Sequence, residues 1–188
     1  MAATPKSFTI AVKFRRVDST NHSTPSNGLQ GTPCTFKVDG QRFQTSSRTI
    51  KFHCDSKYHI HVHINPPTRL EWLKLAGSDC PLQMSDMSSS ASPSTFRKPS
   101  QQECVSKAAS QYWTEWDTTG LSPTHSGKRE AINFALQGTE FALSKTMQCK
   151  FYAPSDSHAG WGNALDAIVY KCATDSQGTL VVTDEEFK

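Results

Sequence analysis

Apolar and polar residues alternate with a period of two along most of this chain. Phe8, Ile10, Val12 and Phe14 alternate with Thr9, Ala11, Lys13 and Arg15 across residues 7–17, the pattern of a strand with one buried face. Residues 18–33 are polar, rich in Ser, Thr, Asn, Pro and Gly, and read as a flexible loop. Alternation resumes at Thr35. Asp39-Gly40 between alternating runs predicts a two-residue type I′ turn, because both central residues of that turn need positive φ. The turn would set Lys37 against Arg42 on an outer face and Phe36 against Phe43 on an inner one. A third strand, residues 49–52, would complete a meander.

Further along, Tyr58, Ile60, Val62 and Ile64 alternate with His59, His61 and His63, and Asn65-Pro66-Pro67 stops that strand. Leu70, Leu73 and Leu75 with Trp72 form a slightly irregular, bulged strand. Residues 82–84 make a short one. Residues 85–110, dominated by Ser with Pro93 and Pro99, read as a flexible insertion with a brief helical turn near 103–109. Strands follow at 112–116, 131–136, 146–152, 167–172 and 179–182, with a polar loop over 117–130 and a short helix expected within 138–145. Roughly nine to eleven short strands with almost no helix predict one all-β domain, an antiparallel β-sandwich or flattened β-barrel.

Composition narrows the function classes. A chain of 188 residues is long enough to bury a sizeable core as a single domain. Its net charge of +3 and basic runs of no more than two residues argue against nucleic acid as the partner. The first thirty residues hold no long apolar segment, no run approaches a membrane span, Ala2 excludes N-myristoylation, and the final residues are not a prenylation box. A soluble intracellular protein is expected. The six cysteines, at 34, 54, 80, 104, 149 and 172, show no C-x-x-C pairing and read as reduced thiols.

Two constellations carry candidate chemistry. Three imidazoles on one strand face, His59, His61 and His63, have the i, i+2 spacing of zinc ligands. Such a site also needs a further ligand and acceptors to orient the rings, and the nearest acid in sequence is a turn residue, Asp55. A solvent-facing strand side explains the same residues, and a pH-sensitive surface is a third reading. Lys37 and Arg42, with Arg48 and Lys51 nearby, could dock an acidic peptide or a phosphate head group, or simply keep an outer strand soluble. His53 and Cys54 are adjacent on a strand and point to opposite faces, so they form no nucleophile–base pair. No nucleotide, hydrolase or metalloprotease motif occurs. No catalytic residue and no cofactor is predicted. A metal-dependent enzyme using the three histidines is the rival reading.

Three blocks carry a family resemblance: FKVDGQRFQTSSRTIKF at 36–52, WDTTGLSPTHSGKREAI at 116–132, and KFY at 150–152 followed by Trp161-Gly162 and IVYKC at 168–172. The chain resembles the cannabinoid receptor-interacting protein family, over roughly half its length, with longer loops near 21–32 and 85–110. The resemblance implies a sandwich like that of the Rho GDP-dissociation inhibitor. It also implies a non-enzymatic cytoplasmic adaptor, peripheral to the inner face of the plasma membrane. Its partner would be the cytoplasmic C-terminal tail of a membrane receptor or a lipidated G-protein peptide, through which it modulates G-protein-coupled receptor signalling. Candidate contact residues are Lys37, Arg42 and Lys51 on the basic strand. Ile60, Val62, Tyr112, Trp116, Phe134, Phe151 and Tyr170 line the inner faces where an acyl or prenyl chain would enter.

Overall fold

The alternating runs become strands whose apolar faces meet between two sheets. The structure is a computed structural model and describes residues 6–17, 31–39, 47–84, 109–175, 177 and 179–188. In chain order these form β1 (Ser7–Arg16), β2 (Thr32–Pro33), β3 (Thr35–Asp39), β4 (Ser47–His53), β5 (Lys57–Asn65), β6 (Leu70–Leu75) and β7 (Ser78–Cys80). They continue with β8 (Gln83–Met84), β9 (Ser110–Asp117), β10 (Glu130–Gly138), β11 (Ala142–Tyr152), a 3-10 turn (Ser157–Gly160), β12 (Asn163–Ala164), β13 (Ile168–Thr174) and β14 (Leu180–Phe187). Sheet I runs β14-β13-β1-β5-β9-β8, with β2 also on β1, and sheet II runs β12-β3-β4-β11-β10-β6-β7. The two pack as a sandwich and do not close into a barrel. The predicted flexible loops at 18–33 and 85–110 fall largely outside the described residues. Of the first, Thr32 and Pro33 pair with Arg16 and Arg15.

The core is one contiguous apolar cluster fed by both inner faces. Its centre is Phe52 of β4, fully buried. Phe14 and Tyr58 meet its ring edge-on at 5.5 and 5.2 Å, Trp116 does so at 5.1 Å, and Phe151 stacks at 5.9 Å. Such aromatic pairs contribute about 0.5–1.5 kcal/mol each beyond their buried area. Here they tie three strands of sheet I to two of sheet II. The described cysteines, 34, 54, 80, 149 and 172, are free and buried. Burial pushes the Cys34 thiol up to about 12 and Cys172 to about 11, so neither is a reactive thiolate near neutrality.

Three expectations change. Phe36 does not face Phe43: its strand partners are Ile50 on one side and Asn163 on the other, so both edges of β3 at that position are filled. The hairpin instead pairs Asp39 with Ser47, and residues 40–46, which include the predicted turn and Arg42, lie outside the described residues. The Phe36 ring packs on Phe187 of β14 at 5.2 Å. Ile50 and Phe52 are the apolar pair that fixes the register, because a one-residue slip would turn both out of the core. Second, the 138–145 segment is no helix. Gly138 donates its N–H to Phe141 O at 2.9 Å and the chain turns directly into β11. Third, β4 and β11 pair in parallel, so sheet II is mixed rather than wholly antiparallel. The irregularity expected near Trp72 is present as a register shift between β6 and β10: Gln137 faces Trp72 and Gly138 faces Leu70, which leaves Glu71 of β6 as the extra residue.

Candidate docking faces on the two sheets

The outer face of sheet II collects cations because β4 and β11 run side by side in register. Lys150 lies beside Lys51, Tyr152 beside His53, and Gln148 beside Thr49. Two lysines side by side repel, a mildly unfavourable pairing. The fold separates their roles. Lys51 is buried, and its ammonium donates to His158 O at 2.8 Å and to Trp161 O. Both ammonium groups also sit near the Tyr152 ring, Lys51 at 5.4 Å and Lys150 at 5.2 Å from its centroid. Burial holds the Lys51 pKa below its ordinary value. The nearby charges of Lys37, Lys150 and Arg129 push the same way, and Asp156 opposes them. Lys51 is therefore not a free cation on an outer strand, as the alternation implied, but a pin for the 157–161 turn. Lys37 on β3 remains exposed on this face.

Two loops border the face. In the first, Thr124 donates its backbone N–H to Phe151 O at 2.9 Å and its hydroxyl to Glu130 at 2.7 Å, while accepting from Phe151 N at 3.1 Å. Arg129 closes the same loop by donating from Nε to Thr49 Oγ1 at 3.2 Å. In the second, Asp156 caps the turn by accepting from the His158 backbone N–H at 2.9 Å, and it contacts His158 Nδ1 at 2.7 Å. Those hydrogen bonds hold the Asp156 carboxyl below the usual range. Gly162 then passes so close to β3 that a Cβ would sit 2.5 Å from Phe36 O, and its φ of +136° suits glycine alone. Between the loops lies a cleft of about 340 Å³, lined by Pro123, Thr124, Ser126, Lys150, Tyr152 and His158 among others. Trp161 stands at this end, 62% exposed, with the His158 ring 4.2 Å from its own.

The outer face of sheet I differs from expectation. His59, His61 and His63 share it, but His61 is 3% and His59 9% exposed, so this is not an open solvent face. The reason is position. β5 lies inside the sheet, and β1 sets Arg15, Lys13 and Ala11 against the three imidazoles on one side while β9 sets Glu115, Trp113 and Gln111 on the other. The His59 ring packs at 5.3 Å from Trp113. Among the described residues, His59 Nδ1 and His61 Nε2 find no hydrogen-bond partner. Burial, reinforced by His59, His63, Arg15 and Lys13, depresses the His61 pKa to about 4. His59 and His63 are lowered for the same first reason, with Glu115 working against it at His59. Among the described residues no group of three or more His, Cys, Asp or Glu side chains is placed to hold a metal ion. Arg15 is the counterpart of Lys51. Buried on this face, it donates to Leu165 O at 3.2 Å and pairs with Asp166.

The inner-face candidates lie where the alternation put them. Ile60, Val62, Tyr112, Trp116, Phe134, Phe151 and Tyr170 are all buried between the sheets. The structure brings Trp116 and Phe151 together around Phe52, with their own rings 6.3 Å apart. Tyr112 sits apart. Its hydroxyl accepts from Leu70 N at 3.1 Å and donates to Thr68 O at 3.4 Å. Phe134 pairs with Leu75 across β10 and β6, and Tyr170 lies under the Lys145 ammonium at 5.7 Å. Four residues of the sheet II face, Arg129, Lys150, Tyr152 and Trp161, were not singled out by charge or periodicity. The signal for them was the blocks at 116–132, 150–152 and 161–162, which are separated in sequence and meet at one end of sheet II.

The chain is thus a two-sheet β-sandwich with cations and aromatics gathered on one outer face. The profile of the family described as CB1 cannabinoid receptor-interacting protein 1 matches residues 26–187, and the chain belongs to that family. The bovine protein of that name is 31% identical over 157 residues, covering 82% of this chain and 85% of the relative. The human and mouse proteins of the same name match with the same identity and coverage.

Proposed function

We propose that this chain is an adaptor that binds the cytoplasmic C-terminal tail of a membrane receptor of the cannabinoid type and thereby modulates G-protein signalling. The observation that carries the proposal is the kinship over 82% of the chain with proteins named for interacting with the CB1 receptor. The role is binding rather than catalysis. On this proposal the protein works in the cytoplasm, at the inner face of the plasma membrane when its partner is engaged. Calorimetric titration of the full chain with a receptor-tail peptide tests it. Saturable binding near the micromolar range, about −8 kcal/mol, is expected, with none to a scrambled peptide. Equal heats from the two peptides would remove the receptor reading. The lipidated-peptide form of the proposal asks for more. An acyl or prenyl chain would have to part the rings of Phe52, Trp116 and Phe151. Matched acylated and unacylated Gα amino-terminal peptides that bind equally well would eliminate it.

A further inference from the structure

Family kinship does not say which surface takes the partner. On the outer face of sheet II, Lys37 sits opposite Thr49 across β3 and β4, Arg129 Nε donates to Thr49 Oγ1 at 3.2 Å, and Lys150 lies beside Lys51, so the four cations share one patch. Asp156, the acid that opposes them there, is bonded to His158. The same face holds Tyr152 beside two ammonium groups and, at its edge, the exposed indole of Trp161. Tryptophan, tyrosine and arginine are the residue types that most often carry binding energy once a partner covers them. This loop is not loosely hung. Lys51 holds two of its carbonyls, Asp156 caps it, and Leu165 N donates to Cys34 O at 2.8 Å just beyond it. A pinned aromatic beside a cleft with a cationic margin is a preorganised anchor site, which lowers the ordering cost of association.

We infer that the outer face of sheet II from Lys37 to Trp161 is a docking surface for an acidic linear peptide bearing one aromatic or branched apolar side chain. The apolar side chain seats in the cleft between residues 123–126 and 150–158, against Tyr152 and beside Trp161. The peptide's carboxylates lie along Lys150, Arg129 and Lys37. Charge complementarity selects this class. Long-range attraction from the cations speeds encounter and weakens as salt rises. Assigning the receptor tail as the natural occupant rests on the adaptor reading, whereas the chemistry of the surface does not.

The test titrates the isotope-labelled full chain, followed by amide and indole NMR signals, with two twelve-residue probes. One has alternating Glu and Ser around a central Phe, and the other is its Lys-for-Glu counterpart. Vesicles of phosphatidylcholine with and without phosphatidylserine form a third arm. The acidic probe should shift Lys37, Lys150, Tyr152, His158 and the Trp161 indole, and the basic probe should shift none of them. Lys150→Glu should weaken binding about tenfold and Trp161→Ala about fivefold. Lys171→Glu, on the other sheet and paired with Asp184 at 2.7 Å, should leave affinity unchanged. Melting temperatures within a few degrees of wild type certify each variant as folded. No binding of the acidic probe, shifts confined to other strands, wild-type affinity in both sheet II variants, or binding to anionic vesicles alone would each overturn the surface. If the acidic probe binds here and the receptor tail does not, the surface stands and the receptor reading falls. If the tail binds undiminished to both variants, the receptor reading stands and the surface falls.

Discussion

The outer faces of the two sheets begin from the same sequence pattern, polar residues alternating with a buried apolar row, and end differently. On sheet I the polar row of β5 is three histidines pressed between the side chains of β1 and β9, with two ring nitrogens unpartnered among the described residues. On sheet II the polar row of β4 and β11 carries Lys51 and Lys150 side by side, and Lys51 is withdrawn into bonds with a neighbouring loop. Each face spends one buried cation on pinning the chain between the turn at Ser157–Gly160 and β13: Lys51 from sheet II and Arg15 from sheet I. What remains is a histidine face that folding has already covered and a lysine–aromatic face left accessible. Alternation assigns a residue to a face, but neighbouring strands decide whether that face meets water.

The largest effect expected from this contrast comes from charging the covered face. His61→Lys would bury an unpaired ammonium beside Lys13 and Arg15 and should cost about 3–5 kcal/mol in denaturant unfolding. A loss below about 0.5 kcal/mol would mean that the face is open after all.

Acid should act on the same face more gently. An unfolded histidine titrates near 6.5 and folded His61 at about 4, so between those values the unfolded chain binds more protons. Stability therefore rises with pH across that window. Its contribution is complete above about 6.5 and is lost as pH falls to about 4, amounting to about 3 kcal/mol over the whole window. His59 and His63 move in the same direction, while Glu115 tempers His59. Unfolding of wild type and His61→Leu at pH 7 and pH 4.5 checks this, since the variant should lose the smaller share on acidification. Identical pH profiles would remove His61 as the cause.

A smaller change is expected at the pinning lysine. Lys51→Met removes its bonds to the His158 and Trp161 carbonyls and should cost about 1–2 kcal/mol. Amide exchange should accelerate at residues 157–161 more than in β5. The smallest change is expected at the accessible rim. Lys150→Glu and Trp161→Ala should each alter folding stability by no more than about 0.5 kcal/mol, because neither side chain is buried. A larger loss at either would make it part of the fold rather than a surface kept for a partner.

The strands of this molecule were legible because inner-face residues recur every second position. Phe8 to Phe14, Tyr58 to Ile64 and Ile132 to Leu136 all point inward as read. Pairing was less legible. The Asp39-Gly40 signal is local, whereas the β3–β4 register is set by burying Ile50 and Phe52 in the distant ring cluster. The parallel contact between β4 and β11 left no trace in either strand, since parallel and antiparallel partners accept the same alternation. The basic strand was recognised but not its division of labour: Lys51 looks like Lys37 until a loop more than a hundred residues away presents two carbonyls to it. Trp161 carried a signal only through its place in a family-like block, because exposure cannot be read from an isolated aromatic in a loop.

Hydrogen–deuterium exchange of the full chain, alone and saturated with a receptor-tail peptide, tests the contrast between the faces most directly. Slowed exchange is expected in β4, in the second half of β11 and in residues 153–162, with β5 unchanged. Protection concentrated in β5 and β9, with the sheet II face unaffected, would contradict it.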